Sequence, residues 1–168
     1  MPYYTKSNQT PTADDPHLRY GKISDIDFIQ KLLVPYAEQG IMLYKDKKKI
    51  EKDLPGTVVC ELSGNIIGVA NLHKYEETLY ELRGLTVHRD YQKQGFGKKM
   101  IHKLTSDLKG EFPQIAITIF ALTVVPDFFR AMGWVDVVKE KFPAKIFDDC
   151  SYCVKRDHCF EDAVETTL

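Results

Sequence analysis

The segment HRDYQKQGFGKKM, His88 to Met100, constrains the fold more tightly than any other stretch of the chain. It sets Gly95 and Gly97 between a strand-like run, TLYELRGLTVH, and an amphipathic run, GFGKKMIHKLTSDLKG. A strand ending at Val87 and a helix beginning near Gly95 leave the first helical N–H groups unpaired and facing the crevice between the two elements. Such groups attract an anion, the helix dipole adds to the attraction, and glycines let the backbone close on the ligand. Arg89, Lys93, Lys98 and Lys99 surround the turn with positive charge that suits a pyrophosphate. An ordinary strand-to-helix turn with two convenient glycines fits the same spacing. The dinucleotide fingerprint does not, because it needs a later third glycine and an acidic residue on the next strand; nor does a nucleotide-hydrolase phosphate loop, because no Gly-Lys-Ser/Thr follows.

The surrounding pattern alternates strands with helices. LRYGKI reads as a strand, and Ser24 with Asp27 reads as an N-cap ahead of FIQKLLVPYAEQG, where Phe28, Ile29, Leu32 and Leu33 share a helical face, Pro35 should bend the chain and Gly40 ends it. KDKKKIEKDL reads as a solvated helical turn or loop, and TVVCEL-SGN-IIGVANLHKY as a hairpin with a Gly-Asn corner. The helix after the glycine turn places Phe96, Met100, Ile101 and Leu104 on one side and should stop at Gly110. IAITIFAL then makes a buried strand, PDFFRAMG a short helix and WVDVVKE a last strand, with the tail folded over the body as a lid. The fold class expected is α/β, with a mixed, mostly antiparallel central sheet and helices on both faces. Residues 1–16, rich in Pro, Thr, Asn and Asp, are read as a flexible arm, and residues 17–168 as a single domain.

Charge narrows the choice of partners. With 23 basic and 24 acidic residues the net charge is -1, which argues against general binding to nucleic acid or a membrane surface and points to a small-molecule substrate. No apolar stretch reaches the roughly 18 residues of a membrane helix, and the N-terminus lacks a basic-then-apolar leader pattern, so the chain is read as cytoplasmic. Monomer and homodimer both stay open. Cys150-x-x-Cys153 has zinc-like spacing, but His158 and Cys159 are adjacent and too cramped to complete a finger, so packed thiols and no metal are expected.

The segment LTVHRDYQKQGFGKKMI closely resembles the acetyl-CoA signature of the GNAT superfamily of N-acetyltransferases, a Leu-x-Val strand followed by a Gln/Arg-x-x-Gly-x-Gly/Ala loop that opens a helix. Gln92, Gly95 and Gly97 occupy its marked positions. The likeness extends through GIMLY, GNIIGVANLH, ALTVVPDFFRAMGW and the tail FPAKIFDDCSYCVKRDHCFEDAV, which resemble the small, stand-alone amino-acid acetyltransferases of the N-acetylglutamate synthase type. It implies a GNAT-like fold, acetyl-CoA as cosubstrate, and transfer to the α-amine of an amino acid, glutamate foremost, in arginine biosynthesis. Acetylation of another amine (a polyamine, an antibiotic or a protein lysine) and a non-catalytic acetyl-CoA-binding module are the competing readings.

The same resemblance implies a site. N–H groups from Gln94 through Gly95, Phe96 and Gly97 to Lys98 take the pyrophosphate, and the backbone of Leu85, Thr86 and Val87 pairs with the pantetheine arm as an added strand would. Strand alternation puts Glu81, Arg83, Leu85 and Val87 on one face. Glu81 sits where superfamily members place a glutamate that takes the amine proton, and a backbone N–H near Leu85 or Thr86 would meet the oxyanion. Arg83, and Lys45 just after GIMLY, are the cations expected to meet an acidic substrate's carboxylates; His73 is read as a structural histidine nearby. Two tyrosines of relatives are missing, replaced by Phe129 and Val124, so no proton donor to the departing thiolate is named.

Overall fold

A computed structural model describes residues 16–168; the arm expected over residues 1–16 lies outside the described residues apart from Pro16. The elements run β1 (His17–Tyr20), α1 (Ile26–Glu38), α2 (Lys47–Asp53), β2 (Thr57–Leu62), β3 (Asn65–Glu76), β4 (Leu79–Val87), α3 (Phe96–Glu111), β5 (Thr118–Thr123), α4 (Pro126–Arg130), β6 (Val135–Val137), α5 (Pro143–Asp148) and β7 (Asp162–Thr167). All seven strands form one sheet in the order β1-β2-β3-β4-β5-β7-β6. Every pairing is antiparallel except β4 with β5.

Helices cover both faces of this sheet. Val58 and Val59 are adjacent on β2 and therefore point to opposite sides. Val58 joins Tyr80, Leu82, Met100, Ile101 and Leu104 in the core beneath α3, whereas Val59 joins Ile29, Leu33, Ile50 and Val69 beneath α1 and α2. Each such fully buried side chain contributes about 1.5–3 kcal/mol of transfer free energy. A third cluster unites Phe120 of β5, Phe142 and Ala163 of β7. There the Phe120 and Phe142 rings stack at 3.8 Å, which fixes where α5 begins.

Local chemistry departs from the sequence reading in four places. The cap at Ser24 does not form: a 3-10 turn over Ile23–Asp25 precedes α1, and the Asp25 carboxylate accepts from the Lys22 N–H (2.8 Å) while gripping Arg19 through both oxygens (2.6 and 2.9 Å). Pro35 lies within α1, which continues to Glu38, because a proline in the last turn forfeits only one intrahelical bond. Of the two readings of the lysine-rich stretch the helical one holds: it forms α2, capped by Asp46, whose side chain accepts from the Lys49 N–H at 2.8 Å. Lastly, the tail ends in β7, which slots between β5 and β6, where no strand was expected. The hairpin forms, but its corner is Ser63-Gly64, one residue earlier than the Gly-Asn corner read from the sequence: both residues have positive φ (48° and 77°), as a two-residue turn matched to strand twist requires, and Asn65 already pairs with Leu62.

Candidate active site

β4 builds the site by parting from β5. The parallel pairing covers only Leu79–Glu81 against Thr118–Phe120, after which β5 continues beside β7 and the two strands diverge. From Leu82 onward one edge of β4 therefore faces an opening, and α3 starts at its far end. On the opposite edge, Arg83 pairs with Asn71 and Thr86 with Val69, so Gly84 and Leu85 stand together opposite the single Ala70. Gly84 has φ +65°, the left-handed conformation of a glycine-led bulge, and the extra residue takes a backbone amide out of the ladder.

This bulge reverses the alternation. Before it, Tyr80 and Leu82 pack under α3 while Glu81 and Arg83 point to the α1/α2 side; after it, Leu85 and Val87 pack under α3. Glu81 and Arg83 thus do not share a face with Leu85 and Val87, contrary to simple alternation, because the inserted residue advances the period by one. The consequence is useful: the acid and the base of β4 face one compartment, and the strand that borders the opening faces another.

At the entrance to α3 the two glycines have separate reasons. Gly95 is the N-cap with φ +85° and open space around it, a backbone that other residues adopt at a cost. Gly97 makes room, since a Cβ there would stand 3.3 Å from Phe128 Cζ. Gln94 and Lys98 are exposed beside them, whereas Phe96 is buried in the core, so only its backbone can serve a ligand. Gln92, although exposed, folds back onto the end of β4: its amide donates to the Val87 carbonyl (3.0 Å) and to the Tyr36 hydroxyl (3.1 Å). Tyr36, which the sequence did not single out, also donates to the Val87 carbonyl at 2.8 Å. With both donors in place, that carbonyl is removed from the backbone pairing expected of residues 85–87.

On the α1/α2 side three cations meet three carboxylates. Lys45 Nζ lies 2.8 Å from Asp53 Oδ2, and Arg83 reaches Asp53 at 3.1 Å and Asp149 at 3.6 Å. Lys145, on α5, sits 2.9 Å from Glu81 Oε1 and 2.8 Å from Asp149 Oδ2. Glu81 is 2% exposed and also accepts from the Tyr75 hydroxyl at 3.0 Å, while Arg83 stays 3.9 Å away. It is therefore no surface carboxylate, and Lys145, not Arg83, is its principal cation. A cleft of about 270 Å³ opens beneath α5 between Tyr75, Phe120, Phe142 and Lys145.

Electrostatics follow from who loses water and who gains a partner. Burial alone would lower the Lys145 ammonium, but Glu81 and Asp149 outweigh it and the group is raised, so it stays charged. Burial pushes Asp149 up, yet Lys145 and Arg83 bring it below the ordinary carboxylate range. Asp53 is lowered in the same way, burial being overcome by Lys45 and Arg83. Lys45 is itself lowered, because burial costs its ammonium more than the one contact with Asp53 restores. Burial and the Arg83 charge lower His73, whose Nδ1 lies 2.8 Å from the Arg83 guanidinium and so acts as acceptor, with the proton assigned to Nε2.

The family model for "Acetyltransferase (GNAT) family" matches residues 26–135, nearly two thirds of the chain. The chain belongs to the GNAT family. It is accordingly an acetyltransferase, and acetyl-CoA is its expected cosubstrate. An uncharacterized N-acetyltransferase of Chlorobaculum tepidum is 32% identical over 93% of this chain and 99% of its own length. An amino-acid acetyltransferase of Aliivibrio fischeri is 28% identical over 82% of this chain but only 30% of its own length. Among solved structures, N-acetylglutamate synthase from Neisseria gonorrhoeae, complexed with coenzyme A and N-acetyl-glutamate, superposes with a TM-score of 0.78 at 22% identity, over 92% of this chain and 35% of that one. Rv2747 from Mycobacterium tuberculosis, in complex with CoA, gives a TM-score of 0.71 at 21% identity over 90% and 99%. These two likenesses establish the GNAT fold.

Within the GNAT frame the structure brings together most of the residues singled out from sequence. Lys45, Arg83 and Glu81 share one compartment, and Gln94, Gly95 and Lys98 cluster at the α3 entrance. Lys145, Asp53, Asp149, Tyr75 and Asn71 also belong to the compartment and were assigned no role there. Lys145 stood in the quoted tail motif Phe-Pro-Ala-Lys, which was its only signal. Phe129 is buried against Phe128 and Trp134, and Val124 is half exposed. Cys150 and Cys153 are half-buried and Cys159 is exposed, with the Lys139 ammonium 3.3 Å from its sulfur. Among the described residues no helix is long and apolar enough to cross a membrane.

Proposed function

We propose that this acetyltransferase moves the acetyl group of acetyl-CoA to the α-amine of an acidic amino acid, glutamate first. The convergence of Lys45, Arg83 and Lys145 on the compartment beside the β4 bulge carries this reading, since two carboxylates need cations held in fixed positions. The relatives named as amino-acid acetyltransferases, and the fold neighbour complexed with N-acetyl-glutamate, support it. The chain corresponds to under a third of the Aliivibrio protein and about a third of the Neisseria one, so substrate and pathway are argued from the site and not transferred whole.

In this reading the α3 entrance holds the cofactor's pyrophosphate through backbone N–H groups from Gln94 to Lys98, and the opening between β4 and β5 admits the pantetheine arm. The acceptor nitrogen attacks the thioester carbonyl, forming the C–N bond while the carbonyl electrons move to oxygen. An amide freed at the Gly84–Leu85 bulge donates to that oxygen. As the intermediate collapses the C–S bond breaks, the sulfur leaves as thiolate, and the amine proton passes to Glu81 directly or through water. A thiol with pKa about 8.5 leaves without a dedicated acid, in keeping with a buried Phe129 and no hydroxyl at Val124. In this reading the product feeds arginine biosynthesis and the enzyme works in the cytoplasm, as the sequence reading expects.

The test is thiol release from acetyl-CoA against each of the twenty amino acids and spermidine. Glutamate should react best, with aspartate or glutamine next. Reaction with spermidine alone would refute the assignment.

A further inference from the structure

Among the three carboxylates of the acceptor compartment, one differs in how it is held. Asp53 and Glu81 are anchored on α2 and β4 with side chains 9% and 3% exposed. Asp149 is 23% exposed and follows α5 on the tail. Its carboxylate bridges Lys145 (2.8 Å) and Arg83 (3.6 Å), two of the cations an acidic acceptor would need. Around it the tail is lightly held: Phe147, Tyr152, Val154 and Phe160 are each at least 70% exposed, whereas Phe142, where α5 begins, is buried and stacked on Phe120. Few buried contacts means a low cost of local opening, and the Phe142 anchor supplies a fixed pivot.

Charge balance points the same way. Lys45, Arg83 and Lys145 cancel Asp53, Glu81 and Asp149, so an anionic acceptor added to the closed compartment would bury an uncompensated charge. If Asp149 withdraws, one cation is left without a partner. An amino acid with two carboxylates and one ammonium carries a single net negative charge and restores neutrality; a neutral amino acid does not.

We propose that Asp149 is an internal stand-in for the acceptor's carboxylate, a gate on the tail that the substrate displaces from Arg83 and Lys145 and that selects for acceptors of net charge minus one. This deepens the function proposed above and rests on an acidic acceptor. Displacement leaves Lys145 between two carboxylates, Glu81 and the substrate's, so its ammonium stays compensated throughout.

The probe is glutamate, titrated calorimetrically into the protein bound to coenzyme A, which carries no acetyl group to transfer. Asp149→Asn should bind it about fivefold more tightly than wild type, ~1 kcal/mol, and lower KM for acidic acceptors to a similar degree. Hydrogen exchange gives a second readout on the unaltered protein: amides over residues 146–158 should exchange faster with glutamate and not with leucine. Equal or weaker glutamate binding in Asp149→Asn, or exchange of that segment in wild type that glutamate slows or leaves unchanged, overturns the gate. Acetylation of glutamate alongside weakened binding in Asp149→Asn would sink the gate and leave the acceptor assignment intact. Tighter glutamate binding without acetylation of any acidic amino acid would sink the acceptor assignment and leave Asp149 as a carboxylate's stand-in.

Discussion

Replacing Gly84 with alanine tests the feature on which the site geometry depends. The ideal Cβ at this position meets only Lys45 Nζ, at 3.7 Å, which is ordinary contact, so the substitution carries no steric clash. The penalty comes from the backbone, since φ +65° costs an L-residue about 1–2 kcal/mol. Reduced freedom of the unfolded chain returns about 0.4–1 kcal/mol of that. The net loss is then about 1 kcal/mol, or ~2–4 °C in Tm for a chain of this size. Activity should fall much further than stability. A relaxed bulge moves the register by one residue, which misdirects the freed amide and works against the placement of Leu85 and Val87. Losing an oxyanion donor costs about 10²–10³ in rate, so a partial displacement should lower kcat/KM by at least about tenfold. Urea denaturation and thiol release, both at 25 °C, measure the two effects. Gly110→Ala is the control, because Gly110 lies in α3 with open space and no positive φ, and alanine there should stabilise by about 0.5 kcal/mol with wild-type turnover. Wild-type kcat/KM in Gly84→Ala, or a stability loss above about 3 kcal/mol, would refute the reasoning.

Two further outcomes bear on Glu81 and Asp25. Glu81→Gln should reduce kcat about a hundredfold at neutral pH, the scale of a lost general base, with partial recovery at alkaline pH where the acceptor amine is already neutral; unchanged turnover removes Glu81 from the proton transfer. Asp25→Asn should cost about 2–3 kcal/mol at pH 7, between surface and fully buried pairs, since its side chain is 7% exposed and forks onto Arg19. The Arg19 hydrogen bonds hold the Asp25 carboxyl below its ordinary value, more than offsetting burial, so the stabilisation is complete above about pH 4 and fades as pH falls through the lowered pKa. Denaturation midpoints of both proteins at pH 7 and pH 2.5 check this; a gap that persists undiminished at low pH would show that charge is not its source.

The glycine turn was legible because two glycines between a strand run and a helix run admit few alternatives, and the helical spacing of Phe96, Met100, Ile101 and Leu104 fixes which side of α3 is buried. The bulge was not, because LRGLTV satisfies alternation on paper; a lone glycine inside a strand pattern is the cue, and here it reversed the faces of Leu85 and Val87. Lys45 was found through its place after GIMLY, but its partner Asp53 was lost in a charge run whose other members, Lys47, Lys48 and Lys49, do face water. Strand β7 escaped because Ala163 and Val164 are both buried, one on each face, which leaves no period of two to detect in six residues.

β6 and β7 are neighbours in the sheet, with Val137 opposite Ala163, so the intervening stretch, residues 138–162, begins and ends on adjacent rungs. Everything that α5 and the cysteine-bearing turn add to the acceptor compartment is therefore grafted onto a hairpin whose feet stand about 5 Å apart. A segment rooted this way can be lengthened, trimmed or exchanged without altering the strand order of the sheet. Diversification toward new amines would have a ready locus in that graft, apart from the strands that border the α3 entrance.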